Sequence, residues 1–189
     1  MPTTTIDVFD AVEIKNASVL FKGESVTSPF GCIGKLDAET EIKSIAKICG
    51  GVTKKKKSKP TQVTVKISGH MELKVARDIF GLKNDGLIDN VYSYGIDSVG
   101  KDFAFVAEEY DTFEENNRLI AFPACSAATG FVKSIENGAD ELAEFELEIT
   151  ALPDTYGKFY YEGINLPADV QTKWLTKFDP AELQKTVTP

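Results

Sequence analysis

The chain has 189 residues, 42% of them apolar and 26% charged, and a formal charge of −8 at pH 7. That length fits one domain with extensions, and that apolar share is enough for a real core, which excludes wholesale disorder. Its only arginines, Arg77 and Arg118, are too few for a reader of phosphates or base edges, and no apolar run approaches the roughly 20 residues that span a bilayer.

Residues 1–10 read as an arm. They lack the basic start and apolar run of a signal peptide, so the expectation is a protein made and kept in the cytoplasm. A strand is expected from Val12 to Phe21, ending at Lys22-Gly23, and Ser28-Pro29-Phe30-Gly31 is a turn. Glu39 to Ile48 alternates loosely. Ile42 and Ile45, three apart, let a helix compete with a bulged strand; strand is preferred because Val63 to Ile67 beyond Gly50-Gly51 would complete a hairpin. Between those arms, "GGVTKKKKSKPTQ" combines glycines, a four-lysine run and Pro60, which predicts a long mobile loop over 49–62. Its lysines, Lys54, Lys55, Lys56, Lys57 and Lys59, have three readings: a solvated tip, a docking arm that orders on a partner, or a nuclear-localisation or nucleic-acid patch. No aromatic interleaves them, which disfavours the last.

Thr61 to Tyr94 is the expected hub. Val63, Val65 and Ile67 alternate with Thr64, Lys66 and Ser68, a half-buried strand. From Met71 the period becomes helical. Lys74, Arg77 and Asp78 make a narrow wet face on which Lys74 and Asp78, four apart, can pair. Gly81 predicts a left-handed cap, and Asp85-Gly86 a turn into a tyrosine-rich strand, Val91 to Gly95. So broad an apolar helix surface is expected to clamp onto a sheet or across its open edge.

Lys101 to Ala107 reads as a strand with Phe103, Phe105 and Ala107 inward, joined to the tyrosine strand through Val99-Gly100. The acidic turn "EEYDTFEENN" follows, then a strand from Arg118 to Phe122 that Pro123 is expected to break. Phe131 to Glu136 and Glu141 to Ala151 predict a hairpin turned at Asn137-Gly138, with one extra loop residue setting Phe131 opposite Phe145. Within it, Ala143, Phe145, Leu147, Ile149 and Ala151 share one face, and Glu144, Glu146 and Glu148 the other, the pattern of a surface strand in an antiparallel sheet. Phe159-Tyr160-Tyr161 is the last expected core strand. From Asn165 the pattern is helical, started by Pro167 and anchored by Val170, Trp174 and Leu175. Asp179-Pro180 then caps a second short helix.

Charge is unevenly distributed. Residues 1–83 hold 14 basic and 9 acidic side chains, and residues 84–148 hold 3 and 15. Such a chain can dock a positive surface of one copy on a negative surface of the next, although the lysine run alone accounts for the positive third. No phosphate-binding glycine loop, nucleophile elbow, zinc-protease or calcium-loop pattern occurs. Cys32, Cys49 and Cys125 have no C-x-x-C spacing and, with one histidine, His70, make a zinc site improbable; His70 with a cysteine is a weak nucleophile pair. Glu108-Glu109 and Glu114-Glu115 are adjacent, so on a strand they point apart. The expectation is no enzyme, no cofactor and no metal.

"SGHMELKVARDIFGLKNDGL", followed by "YSYG" and by "EITALPDTYGKFYYEG", resembles the major tail proteins of long-tailed bacteriophages and prophages, over about Thr61 to Gly163. The resemblance implies a mainly β chain: an antiparallel sandwich or barrel over 1–164 with a central flanking helix and a long hairpin loop, then a C-terminal helical extension over 165–189. It further implies a structural virion protein of the tail, assembled in the host bacterial cytoplasm. Six copies would close a ring, rings would stack into a tube, and tape measure, tail terminator and distal tail proteins would be its partners. DNA would pass through the channel without specific binding, and Glu144, Glu146 and Glu148 would line that channel. Lys54 to Lys57 and Lys59 would lie in an inter-subunit or inter-ring loop. Outside that resemblance, a β-sandwich carbohydrate- or ligand-binding module using Tyr92, Tyr94, Tyr160 and Tyr161 stands as the alternative; a contractile injection device's tube subunit shares the ring logic.

Overall fold

The protein is described from a computed structural model, which covers residues 8–49, 52–113, 115–133 and 144–184. Its strands are β1 (Ala11–Phe21), β2 (Ser28–Pro29), β3 (Gly31–Cys49), β4 (Val52–Met71), β5 (Phe103–Asp111), β6 (Asn117–Ala127), β7 (Phe145–Ala151) and β8 (Tyr161–Ile164). Two α-helices, α1 (Leu73–Phe80) and α2 (Ala168–Thr176), and a 3-10 turn, Pro180–Leu183, complete the described elements. All strand pairs are antiparallel, in the order β2-β1-β5-β6-β7-β4-β3, with β8 beside β6. Ile14 of β1 and Ile33 and Leu36 of β3, from opposite ends of that order, pack against one buried cluster. The sheet therefore curls on itself into a mainly β sandwich with a flanking helix, as the sequence predicts.

Inside the curl lie Val19, Phe21, Val65, Ile67, Phe105, Phe122, Leu147 and Ile149. Helix α1 closes it with Val75, Ile79 and Phe80, the apolar side of its wheel. The helix ends where the glycine predicts: Gly81 is left-handed at φ +70°, and its N–H bonds the Arg77 carbonyl. A Cβ there would collide with the backbone of Val99, so packing and conformation both require glycine. Lys74 does not take Asp78. That carboxylate sits 2.8 Å from the Lys101 ammonium, which ties α1 to the start of β5.

Strand β5 is buried on both faces. Phe103, Phe105 and Ala107 face the main core, while Ala104 and Val106 join Leu119, Ala121, Trp174 and Phe178 in a second cluster under α2. The Trp174 indole N–H donates to the Ile120 carbonyl at 3.1 Å, so the C-terminal segment is held by both packing and a buried hydrogen bond. Asp179 caps the 3-10 turn as expected, its carboxylate accepting from the Ala181 N–H at 2.8 Å.

Several local expectations are corrected. The 49–62 stretch is not an irregular loop over its described residues: β4 begins at Val52 and pairs with β3 throughout, with bulges between Glu41 and Ile42 and between Lys47 and Ile48. The tyrosine strand is reduced to one bridge, Lys83↔Ser93, because Asn84 turns the chain by donating its side-chain amide to the Ile88 and Val91 carbonyls. Pro123 does not end its strand. It falls where β6 changes neighbour, from β8 at Arg118–Ala121 to β7 at Cys125–Ala127, so its missing N–H is absorbed at a switch of partners. Phe131 is in no strand and β7 pairs with β4 and β6, while the expected Asn137-Gly138 turn lies outside the described residues. Phe131 and Phe145 still meet through a shared neighbour, each edge-on to Phe80 at 5.7 Å. The last core strand begins at Tyr161, two residues later than predicted.

Candidate functional site

Strand β7 borders β4 only from Val63 to Gly69. Beyond Val63, β4 has β3 as its sole neighbour among the described residues, and the pair leaves the body as a two-stranded ribbon exposed on both faces. Cross-strand partners share a face, so the register sorts its side chains. Lys43↔Lys59, Ile45↔Lys57 and Lys47↔Lys55 place five lysines around one isoleucine. Ile42↔Pro60, Ser44↔Ser58 and Ala46↔Lys56 make the opposite face nearly neutral, with the two serine hydroxyls 2.8 Å apart. The four-lysine run is thus split: Lys55, Lys57 and Lys59 belong to the basic face, Lys56 to the other, and Lys54 is the extra residue at the bulge between Lys47 and Ile48. Like charges directly opposite one another destabilise a ribbon, and a lone two-stranded hairpin is marginal. Ile42, Ile45, Ile48 and Val52 are exposed along it. The arm thus presents positive charge and exposed apolar side chains together.

The glutamates keep their expected alternation. Leu147, Ile149 and Ala151 are buried, while Glu144 and Glu146 are exposed and Glu148 is half-buried. Register places this wet face beside that of β4 and β3, with Lys66 opposite Glu148 and Asp37 opposite Lys66. Lys66 approaches Glu148 to 3.8 Å, and Lys35 approaches Asp37 to 2.6 Å. Adding Glu39 and Glu41, the face carries two lysines against six carboxylates as far as the Glu41–Gln62 pair, beyond which the same side of β3 continues into the basic face of the ribbon. It is acidic, but not the bare glutamate row that the sequence suggests.

The end of the molecule away from the ribbon is made of α1 and the loop over 83–100. Here Asp85, Asp89 and Asp97 are exposed together with Ile88, Ile96 and Val99. Register fixes the polarity: Val63 faces Ala151, Ala151 faces Cys125 and Cys125 faces Phe103, so the ribbon extends toward the Asp111 end of β5 while α1 sits at the Phe103 end. A basic, partly apolar arm and an acidic, partly apolar loop occupy opposite ends of one body.

The polar cluster at the start of β6 is invisible in the sequence pattern. Glu108 and Glu109 are both buried and point apart, as adjacency predicts. The Glu108 carboxylate accepts from Asn16 at 2.7 Å and Asn117 at 2.6 Å, and Glu109 accepts from the Arg118 guanidinium at 2.6 Å. Asn16 reaches inward because it sits in a bulge of β1 at φ +52°, which asparagine tolerates. Every buried side-chain polar atom described has a partner, so the cluster fixes strand register and offers nothing to a ligand.

Register sets Cys32 opposite His70, both exposed, and no hydrogen bond joins them among the described residues. Cys125 is buried, which pushes its thiol far above the range in which it ionises. The four tyrosines share no platform: Tyr92 lies under Arg77, Tyr94 against Phe131, Tyr160 against Phe122, and Tyr161 bonds Asp154. No helix among the described residues is long and apolar enough to cross a membrane.

No family model and no curated protein matches the sequence. Among solved structures, the chain is similar to the cryo-EM structure of the anti-feeding prophage cap, a tube-terminating cap, at 11% sequence identity and a TM-score of 0.41, covering 88% of this chain and 100% of that one. A likeness that distant carries over neither residue roles nor partners.

Proposed function

We propose that this chain is a structural protein of a phage-type tail, the subunit of its tube, with copies closing rings, six to a ring, that stack around a DNA-conducting channel. The reading joins the sequence resemblance to one structural observation, the polarity of the body. A basic ribbon at one end and an acidic, apolar loop at the other make successive copies complementary head to tail. Heterologous contacts of that kind close into rings or extend into filaments. The surface supports this reading: among the described residues the buried polar groups satisfy one another, and what is left over is exposed apolar and charged surface. Ribbon docking covers its facing lysines and its exposed isoleucines in one step. No enzymatic role and no cofactor are part of this reading, and the virion tail is its location.

Negative-stain microscopy of the concentrated protein tests it. Rings or tubes are expected at low salt and fewer of them toward 1 M, where the screening length falls to roughly 3 Å. Monodisperse monomers under all conditions would overturn the proposal.

A further inference from the structure

The β5–β6 connection displays an aromatic side chain on a hydrogen-bonded turn. Phe113 is 80% exposed, more than any other aromatic among the described residues. Its turn is held by one carboxylate: Asp111 accepts from the N–H groups of Phe113 at 3.3 Å and Glu115 at 3.0 Å, and from the Asn116 side-chain amide at 2.7 Å. Those bonds, Asn116 foremost, hold the Asp111 carboxyl below its ordinary value. Glu115 is exposed on the same turn, so the tip pairs an aromatic knob with a carboxylate. The bonds to Asp111 order the backbone of the turn before contact, which lowers the entropy lost on docking.

At the other end of the body is a groove of about 490 Å³ between α1, the 83–100 loop and the start of β7. Leu73, Leu82 and Phe131 give it apolar walls, and Arg77 and Lys133 give it positive charge, against one acid, Glu144. The Arg77 guanidinium lies 3.8 Å over the Tyr92 ring and has no carboxylate partner among the described residues. Stacking fixes its plane and leaves its N–H edge open to a carboxylate.

Knob and groove cannot meet within one copy. Strand β5 runs from the groove end, where Lys101 holds Asp78, to the turn at Asp111. Its nine residues span roughly 30 Å at the strand rise. Complementary features at opposite ends of identical copies make a heterologous contact that repeats.

We propose that the Phe113 turn of one copy seats in the Arg77 groove of the next, the ring against the Leu73 and Phe131 wall and the Glu115 carboxylate toward Arg77 and Lys133. The contact rests on the multi-copy reading above and is separate from the ribbon. Phe113→Ala and Leu73→Glu alter exposed side chains, so both variants fold. Light scattering on the full chain should show each raising the concentration needed for assembly at least tenfold. In a background with Cys32 and Cys49 replaced by serine, Phe113→Cys copies mixed with Leu73→Cys copies should form covalent heterodimers with a short bis-maleimide. Neither population should cross-link with itself in comparable yield. If Phe113→Ala assembles at the wild-type concentration, or if the heterodimer does not form while wild type assembles, the knob is overturned and the tube reading stands. A wild-type chain that stays monomeric overturns both.

Discussion

Trp174 and Asp154 are the side chains whose removal isolates separate parts of this fold. Trp174 is 4% exposed, meets Phe178 edge-on at 5.1 Å and donates to the Ile120 carbonyl. Trp174→Ala should cost about 3–5 kcal/mol in urea unfolding, the range for emptying a buried aromatic site. Trp174→Phe keeps most of the packing and should cost about 1 kcal/mol more than its volume change alone, from the orphaned carbonyl. Asp154 makes a pH prediction. Burial alone would raise its carboxyl, but the Tyr161 hydroxyl and the N–H groups of Lys158 and Tyr156 outweigh burial and hold it below its ordinary value. The same pair, with burial foremost, pushes the Tyr161 hydroxyl up to about 12. A carboxyl depressed by folding contributes stability above its unfolded pKa, about 3.9, and loses it as pH falls through the folded value. Asp154→Asn should therefore be less stable than wild type at neutral pH, with the gap in Tm narrowing as pH falls from about 5 to 2. A gap independent of pH would show that the carboxylate's charge does not matter. At this scale the sequence was partly legible. Gly81 and Asp179 act locally, through their own backbone and the next few residues, and both sit where pattern reading places them. Asp78 was misassigned because Lys101, its partner, is 23 positions away, and no local spacing shows that pairing.

Elements divide the same way. Helix α1 was legible because its apolar arc is wider than an isolated helix can expose, so a sheet had to cover it. The ribbon was hidden by composition. Glycines, lysines and a proline read as loop, and only register shows that Lys43, Lys47, Lys55, Lys57 and Lys59 form one face. That register yields a prediction in which stability and assembly move in opposite directions. Lys55→Glu with Lys59→Glu sets each new carboxylate directly opposite a lysine, Lys47 and Lys43. Each opposite-charge pair is worth about 0.2–1 kcal/mol, so amide exchange along the ribbon should slow. Tube formation should fail nonetheless, because the face meant for an acidic neighbour is neutralised. Faster exchange would refute the register, and normal tubes would refute the docking role. Strand β5 shows the converse limit. Its alternation revealed one inward face, whereas the burial of Ala104 and Val106 depends on α2, about 70 residues downstream.

At the scale of the whole molecule, the polarised charge was legible as a number and not as a geometry. The acidic middle of the chain is dispersed: part lies in the 83–100 loop, part in the Asp111 turn, part in the buried Glu108–Glu109 cluster, and part on the wet face of β7. Only the last bears on the channel of the proposed tube. On that face Glu144, Glu146 and Glu148 stand with Asp37, Glu39 and Glu41 against Lys35 and Lys66. The apolar side of β7 is committed to the core, so its other side faces either the channel or the exterior of an assembled tube. For that tube we propose the channel side: a wall with a carboxylate excess would repel phosphate, so that DNA would slide past without lasting contacts. Changing all three glutamates to lysine should leave Leu147, Ile149 and Ala151 packed and should still allow tubes, since none of the three is buried. The altered wall would hold eight basic and acidic side chains in the ratio five to three, enough to reverse its sign. DNA should then adhere, with a binding constant that falls steeply as salt rises, the signature of released counterions. The measurement is ejection rate against salt for phage carrying the triple variant, and the expected result is slow ejection at low salt that recovers at high salt. Ejection at the wild-type rate throughout, or a tube structure with these carboxylates on its outer surface, would remove the channel assignment.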